Sequence, residues 1–427
     1  MRRIQHLSLL AAFVVMAGSP LPAQEAKLPA PLSLQQCLDL TFKNQTDIIT
    51  ARNNVLIAKS RTSQALSAYL PQLSIQNNAF SSGTGVLNRT TTGTAFNASL
   101  DVFDGGLREA NTLGARYGVR QSSAGLSRTV QTVAFSVTKS YYEVLRAKHL
   151  AEVADASVKY NEELRQQIEA RAALGDVAKV DVLPVEAQLA NARVTQLIAQ
   201  NAVRTASLTL QNTMGLSPEA GFDVQDVQNA PKVDAGQLKE YVDAALKARP
   251  DVLESQASVG AARASVRAAR INLYPRPVIT GQYQRQIQGG FTTSGSQIVG
   301  GIVFDLFNGG ANRAQYKAAQ ASQANAAQQE AQVGKDIQAQ VETAYLNLTN
   351  ADQRTTASEV GLTASQANYD AQKDRYSQGL ATPLDLLNAQ LQLVTAQSNA
   401  VQARYDYYDA IAQMDYSVGK QGGFNAN

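Results

Sequence analysis

The sequence predicts an α+β membrane protein. It is a duplicated helix–β-hairpin–helix repeat that, as a trimer, forms a twelve-stranded transmembrane β-barrel continued by a long α-helical coiled-coil barrel. Three observations predict it. First, the second half of the 427-residue chain rewrites the first at a constant shift of 204 residues. Phe103-Asp104-Gly105-Gly106 returns as Phe307-Asn308-Gly309-Gly310, Pro71 as Pro275, Tyr141 as Tyr345, Gly175 and Asp181 as Gly379 and Asp385, and Gly215 as Gly419. A period this long is one whole supersecondary unit copied, not a short solenoid repeat. Second, each copy carries a pair of segments with strict two-residue alternation. Third, no proline lies between Pro71 and Pro184 or between Pro277 and Pro383, which permits very long uninterrupted helices.

The chain opens with Met1-Arg2-Arg3 and an apolar run from Leu7 to Ala17, followed by Leu21-Pro22-Ala23. Residues 1–23 therefore read as a secretory signal peptide. Residues 24–32, with Pro29 and Pro31, read as a linker. Without Arg2 and Arg3 the formal charge falls from +3 to +1, so no nucleic-acid partner is expected. With two His, one Cys and no Trp, the sequence holds no phosphate-binding glycine loop, metal-ligand cluster or nucleophile–base pair. No catalysis and no cofactor are expected. Cys37 lies in an amphipathic stretch and reads as a small buried residue. His149 stands among helical residues with no partner by spacing and reads as solvated or interfacial.

The first repeat is expected over 33–215, a proline-containing connector over 216–236, the second repeat over 237–419, and a disordered tail over 420–427. Residues 33–45 and 237–249 read as short amphipathic helices (Leu34, Leu38, Phe42; Leu238, Val242, Leu246). A second helix follows in each copy, started by Pro250 at its first position in copy two, and these run to Tyr69 and Tyr274. The pattern then changes to period two. Leu73 and Ile75 alternate with Ser74 and Gln76, and Phe96, Ala98, Leu100 and Val102 with Asn97, Ser99 and Asp101. In copy two, Ile279 and Tyr283 oppose Thr280, Gln282 and Gln284, while Ile298, Ile302, Phe304 and Leu306 line one face. The strands are expected at about 72–80, 94–103, 277–287 and 297–307, with the Gly/Ser/Thr-rich stretches 81–95 and 288–297 as loops. At roughly ten residues each, they have the length of tilted membrane strands, apolar on one face and polar on the other.

Asp104 and Asn308 suit helix N-caps. Residues 107–148 and 310–350 read as helical rods; return helices run to Leu174 and Gln378, turn at Gly175 and Gly379, and continue as 180–214 and 384–418. In the last, Leu384, Leu387, Leu391, Val394, Val401, Tyr405, Tyr408 and Ala412 trace a coiled-coil seam. Four strands do not close a barrel, and an open edge in lipid leaves backbone groups unpaired. Two copies make eight strands with a filled interior; three make twelve, wide enough to be open. The polar strand face and the absence of a plug favour three.

On these features the chain resembles the TolC-type outer-membrane efflux protein family over essentially all of 33–419. The specific signals are the duplication, the Phe-[Asp/Asn]-Gly-Gly strand exits, and the hairpin tips Leu174-Gly175-Asp176-Val177-Ala178-Lys179-Val180-Asp181 and Tyr376-Ser377-Gln378-Gly379-Leu380-Ala381-Thr382-Pro383-Leu384-Asp385. The resemblance implies an outer-membrane exit channel of a tripartite efflux or type I secretion system. It implies a homotrimer in outer-membrane lipid with a periplasmic helical extension, docked to a periplasmic adaptor protein and an inner-membrane pump. It also implies a periplasmic gate at Asp385, Asn388 and Asp181; helix capping or solvation is the competing reading of the aspartates. The tip residues Gly175, Val177, Gly379, Leu380 and Thr382 are the candidates for adaptor docking, against plain turn chemistry. Two features depart from the family pattern. Leu380-Ala381-Thr382 lacks the arginine some relatives carry there, and position 388 is a neutral Asn; Arg171, Arg375 and Lys179 are candidate substitutes or solvated charges. In the barrel, Asp101 and Asp305 are expected on the lumen face. Tyr69, Phe103, Tyr274 and Phe307 form either an inner aromatic girdle or ordinary junction packing. A structural coiled-coil envelope or adhesin-like fibre explains the heptads but not four amphipathic strands bracketed by the same turn motif.

Overall fold

The computed structural model describes residues 31–82, 89–175, 177–218, 223–227, 237–288 and 291–420. The expected signal peptide, most of the linker, most of the connector and the tail beyond 420 lie outside these residues. In chain order the first copy is α1 (Leu34–Asn44), α2 (Thr46–Ser67), β1 (Gln72–Ser82), β2 (Arg89–Phe103), α3 (Leu107–Leu174), a 3-10 turn at Lys179–Asp181, and α4 (Val182–Thr213). The second is α5 (Leu238–Ala248), α6 (Pro250–Ile271), β3 (Arg276–Gln288), β4 (Phe291–Val303), α7 (Ala311–Ser377) and α8 (Pro383–Val418).

Local chemistry explains the helix starts. Ser33 and Gln36 form a reciprocal capping box on α1, and Pro250 takes the first turn of α6, where a missing N–H costs nothing. The ends of α4 and α8 are set by glycine. Gly215 and Gly419 have φ of +72° and +88°, and a Cβ there would lie 2.9 Å from the Asn44 carbonyl oxygen and 2.8 Å from Arg249 Cγ, respectively. Each returning helix thus closes on the break between the short and long helices that open its copy. Arg249, 1% exposed, staples that break in copy two. It donates to Asp251, to the Gln340 side chain at 2.9 Å and to the Ser417 carbonyl at 3.1 Å.

α3 and α7 are single helices of 68 and 67 residues, about 100 Å each. The expected division into a rod and a return helix near residues 148 and 350 does not exist. No helix breaker stands there, and Ala147, Ala151 and Ala154 continue one buried stripe through the position. A central core joins α1, α3, α4, α5, α7 and α8 through Cys37, Tyr141, Leu145, Leu210, Ala245, Ile337, Leu348, Tyr405 and Met414. A second core near the tips joins both hairpins through Leu164, Ile168, Val185, Tyr369, Tyr376, Leu387 and Leu393. The α8 seam also differs from expectation: Leu384 and Leu391 are exposed, whereas Leu386, Leu393, Ala396, Ala403, Tyr407, Ala410 and Met414 are buried. Leu387, Tyr405 and Tyr408 of the expected seam are buried as well; α8 packs on α3 as well as α7, so its buried face is broader than a heptad stripe.

The four strands form one antiparallel sheet in the order β1-β2-β3-β4, with free edges on β1 and β4. The register puts Leu73, Ile75, Phe96, Leu100, Ile279, Tyr283, Ile298 and Ile302 on one face, and Leu73 and Ile298 are 80% and 81% exposed. The other face carries Ser74, Gln76, Asn97, Ser99, Asp101, Thr280, Gln282 and Gln297, linked in part by Thr280 donating to Asp101 (3.1 Å) and Gln297 to Gln282 (3.0 Å). Two strands depart from expectation. β2 begins at Arg89 and β4 at Phe291, because ladder pairing carries the Thr- and Ser-rich stretches that composition marks as loops. β4 ends at Val303, so Phe304, Asp305, Leu306 and Phe307 lie past it.

Candidate functional site

The candidate gate residues sit where α3 turns into α4 and α7 into α8. In the second tip Gly379 has φ of +71°, and the Leu380 N–H returns to the Arg375 carbonyl at 2.8 Å. Thr382 then caps α8. Its backbone N–H and hydroxyl both donate to one Asp385 oxygen, at 2.9 and 2.7 Å, and the Asp385 N–H donates to the Thr382 hydroxyl oxygen at 3.2 Å. These bonds, the hydroxyl's first, hold the Asp385 carboxyl below the ordinary carboxylate range. Asp385 and Asn388 are exposed, while Leu386 and Leu387 between them and Ala389 after them face the tip core. The two therefore share the face turned away from that core.

The first tip is built differently. Gly175 again supplies the left-handed turn, φ +83°, and Asp176 lies outside the described residues. Val177 is half-buried. The 3-10 turn Lys179–Asp181 leads into α4, and Asp181, at the cap position, makes no side-chain capping bond. Between the tips stands Tyr376, 3% exposed, with the Arg171 guanidinium over its ring at 4.8 Å. Burial pushes the Tyr376 phenol above its ordinary value, Arg171 opposes this, and the Asp181 charge adds to it. Sequence reasoning missed Tyr376; its counterpart in copy one is Ala172, so the duplication hides it. Of the candidate substitutes for the absent arginine, Arg171 joins this cluster, Arg375 reaches the Leu380 carbonyl at 3.5 Å, and Lys179 makes no ion pair among the described residues.

At the other end of the rods, Arg108 ties strand to helix. Its Nη1 and Nη2 donate to the Asp101 and Val102 carbonyls at 2.5 and 2.9 Å, and its guanidinium lies over the Tyr69 ring at 4.5 Å. Phe103 closes β2 opposite Ile279. Tyr274 and Phe307 are exposed, the latter at 88%. Asp101 is on the polar strand face; Asp305 is beyond the end of β4 and shares no strand level with it.

A third polar cluster lies where α3, α7 and α8 meet. Arg146 pairs with Asp409 at 2.7 Å, Glu143 at 3.3 Å and Asp406 at 3.7 Å, and Arg354 with Asp406 at 3.1 Å. Burial pushes the Asp409 carboxyl up to about 6, against the pull of Arg146 and Lys139. The i,i+3 spacings Glu143/Arg146 and Asp406/Asp409 were the readable signal. His149, expected to stand alone, has partners: Nδ1 meets Glu152 at 2.9 Å, Nε2 lies 3.4 Å from Asp226, and the ring stacks on Tyr405. The connector and α8 supply two of these, at distances in sequence that local spacing does not reveal. Among the described residues no His/Cys/Asp/Glu group suits a metal, and no helix is long and apolar enough to cross a membrane.

Two stretches, residues 37–216 and 241–420, match the profile of the outer membrane efflux proteins. The chain belongs to that family. Outer membrane efflux protein BepC of Brucella suis is 26% identical over 404 residues, covering 93% of this chain and 87% of BepC. Outer membrane protein TolC of Escherichia coli K12 is 25% identical over 378 residues, covering 82% and 74%. The crystal structure of the outer membrane protein VceC from Vibrio cholerae superposes with a TM-score of 0.80 at 18% identity, covering 92% of this chain and 97% of VceC; at that identity it speaks for the fold. Membership places the chain in the outer membrane, with a periplasmic helical part.

Proposed function

We propose that this efflux protein is the outer-membrane exit channel of a tripartite efflux or type I secretion system, passively conducting cargo handed over by an inner-membrane pump and its periplasmic adaptor. The observation that carries the reading is a four-stranded sheet, apolar on one face and polar on the other, mounted on helices about 100 Å long. The apolar face suits lipid and the polar face a water-filled lumen. The two free edges call for further copies of the chain, and three copies give an open barrel of twelve strands. Light scattering of the detergent-extracted protein should report a homotrimer; a monomer would break the barrel argument.

The rods extend into the periplasm and end at the tips, where Asp385, Asn388 and Asp181 form the gate. Threefold repetition brings like charges together, which favours cations and narrows the pore. The single chain supports an ordering: Asp385 is engaged by Thr382, while Asp181 is free of capping bonds and faces the Tyr376–Arg171 pair. Gly175, Val177, Gly379, Leu380 and Thr382 present the outermost turns to the adaptor. In planar bilayers, Asp181→Ser combined with Asp385→Ser should raise single-channel conductance and weaken cation preference. Unchanged conductance and selectivity would remove both residues from the gate.

A further inference from the structure

The duplication suggests one register for closing the barrel, and the sheet itself points to another. We infer that β4 of one copy pairs with β1 of the next so that Val303 stands opposite Gln72, Ile302 opposite Leu73, Gly300 opposite Ile75 and Val299 opposite Gln76. This rests on the trimeric channel above and adds to it the residues that join the copies.

Three features of the sheet lead there. The free edges have matching ends: β1 starts at Gln72 and β4 stops at Val303, and the same register sets Ser82 opposite Thr293. Every β1 residue then has a partner, which lipid demands because it offers no hydrogen bonds. The faces also agree. Leu73 and Ile75 join Ile302 and Gly300 on the apolar side, and Ser74 and Gln76 join Gly301 and Val299 on the side of Asp101.

The third feature is tilt. For twelve strands about 4.8 Å apart, with about 3.4 Å per residue, a tilt of about 45° displaces the register by about 17 residues around the ring, about six per copy. The observed pairs lead from Gln72 to Ser99, Gln282 and Gln297. In the inferred register Gln297 meets position 78 of the next copy, a displacement of six residues from Gln72. Repeating the internal β2–β3 junction at the closing edge gives the rival. There the observed Asp101–Thr280 pair becomes Asp305 opposite Gln76, and the displacement doubles to about 12 per copy. That corresponds to a tilt of about 65°, steeper than barrels adopt. It would also require β4 to continue past Val303. The closing junction is therefore not a copy of the internal one, although the two hairpins share one register.

Disulfide trapping separates the two. Residues opposite each other on antiparallel strands have Cα atoms about 4.5–5.5 Å apart, within the disulfide range of about 4.4–6.8 Å. Gln76→Cys combined with Val299→Cys in full-length protein, oxidised in outer membranes, should give covalent dimers and trimers that a reductant collapses. Gln76→Cys with Asp305→Cys, about 20 Å apart in this register, should give at least ten-fold less. The single variants control for Cys37, which is fully buried. Preferential cross-linking of Gln76→Cys with Asp305→Cys overturns the inference. So does a trimeric mass by light scattering with neither pair cross-linked, which leaves the channel reading standing. A monomeric mass takes down both.

Discussion

The two copies share their turn glycines but are fastened at opposite ends. At the barrel end copy one is the tighter. Asp104 accepts from the backbone N–H groups of Gly106, Leu107 and Arg108 at 3.1, 3.1 and 2.8 Å, and Arg108 grips the end of β2. Copy two has Asn308 and Asn312 at these positions; Asn312 donates to the Asn272 carbonyl at 3.0 Å and does not reach β4. At the tips the order reverses. Thr382 and Asp385 cap α8, while Asp181 leaves α4 without a side-chain cap. Duplication therefore conserved the path of the chain and let its fastenings diverge. The looser elements are the end of β4 at one end and the start of α4 at the other.

The largest test of this asymmetry is Arg108→Ala. The guanidinium side chain is 10% exposed beside Asp104, and its removal should cost about 2–3 kcal/mol by leaving two strand carbonyls without their donor and withdrawing the charge that faces Asp104. Asn312→Ala, by contrast, should cost about 1 kcal/mol. Thermal unfolding of the detergent-solubilised protein reads both; equal losses would mean that assembly makes the junctions equivalent.

A second test addresses the place where the copies meet. Asp409 on α8 pairs with Arg146 on α3, is 19% exposed, and has its carboxyl raised to about 6, against about 4 in the unfolded chain. The folded state binds this proton more tightly. Its contribution is thus complete below about pH 4, is lost as pH rises through about 6, and is flat above that. The change is on the order of 2 kcal/mol. Unfolding midpoints should fall between pH 4 and 7 in the parent protein, and Asp409→Asn should flatten the slope; an unaltered slope would assign it to other groups.

The smallest effect belongs to the tips. Thr382→Ala should cost about 1 kcal/mol through loss of the cap, read as faster amide exchange in the first turn of α8. Asp181→Ala should leave exchange in α4 unchanged. Comparable deprotection from both would erase the contrast.

Much of this architecture was legible in the residues. The Phe-[Asp/Asn]-Gly-Gly motif marks the end of β2 and the entries to α3 and α7, and Gly105, Gly106, Gly309 and Gly310 all have positive φ. Pro250 and Pro383 begin helices as proline should. The candidate gate aspartates come from the resemblance of the two tips to the family's, and both stand just after the left-handed turns at Gly175 and Gly379. Tyr376, the partners of His149 and the Arg146 cluster were not found, because each depends on residues brought together from separate helices.

By itself the sequence determined what a few consecutive residues can encode. Alternation over two residues separates strand from helix, glycine permits the left-handed turns, and the spacing of proline sets how long a rod can grow. The tertiary structure alone decided where β4 stops and which side of α8 is buried. Those outcomes depend on pairing and packing between segments remote in the chain, where the same side chain is buried or exposed according to its neighbour. The 204-residue repeat carries no record of those neighbours, since the two copies occupy different surroundings.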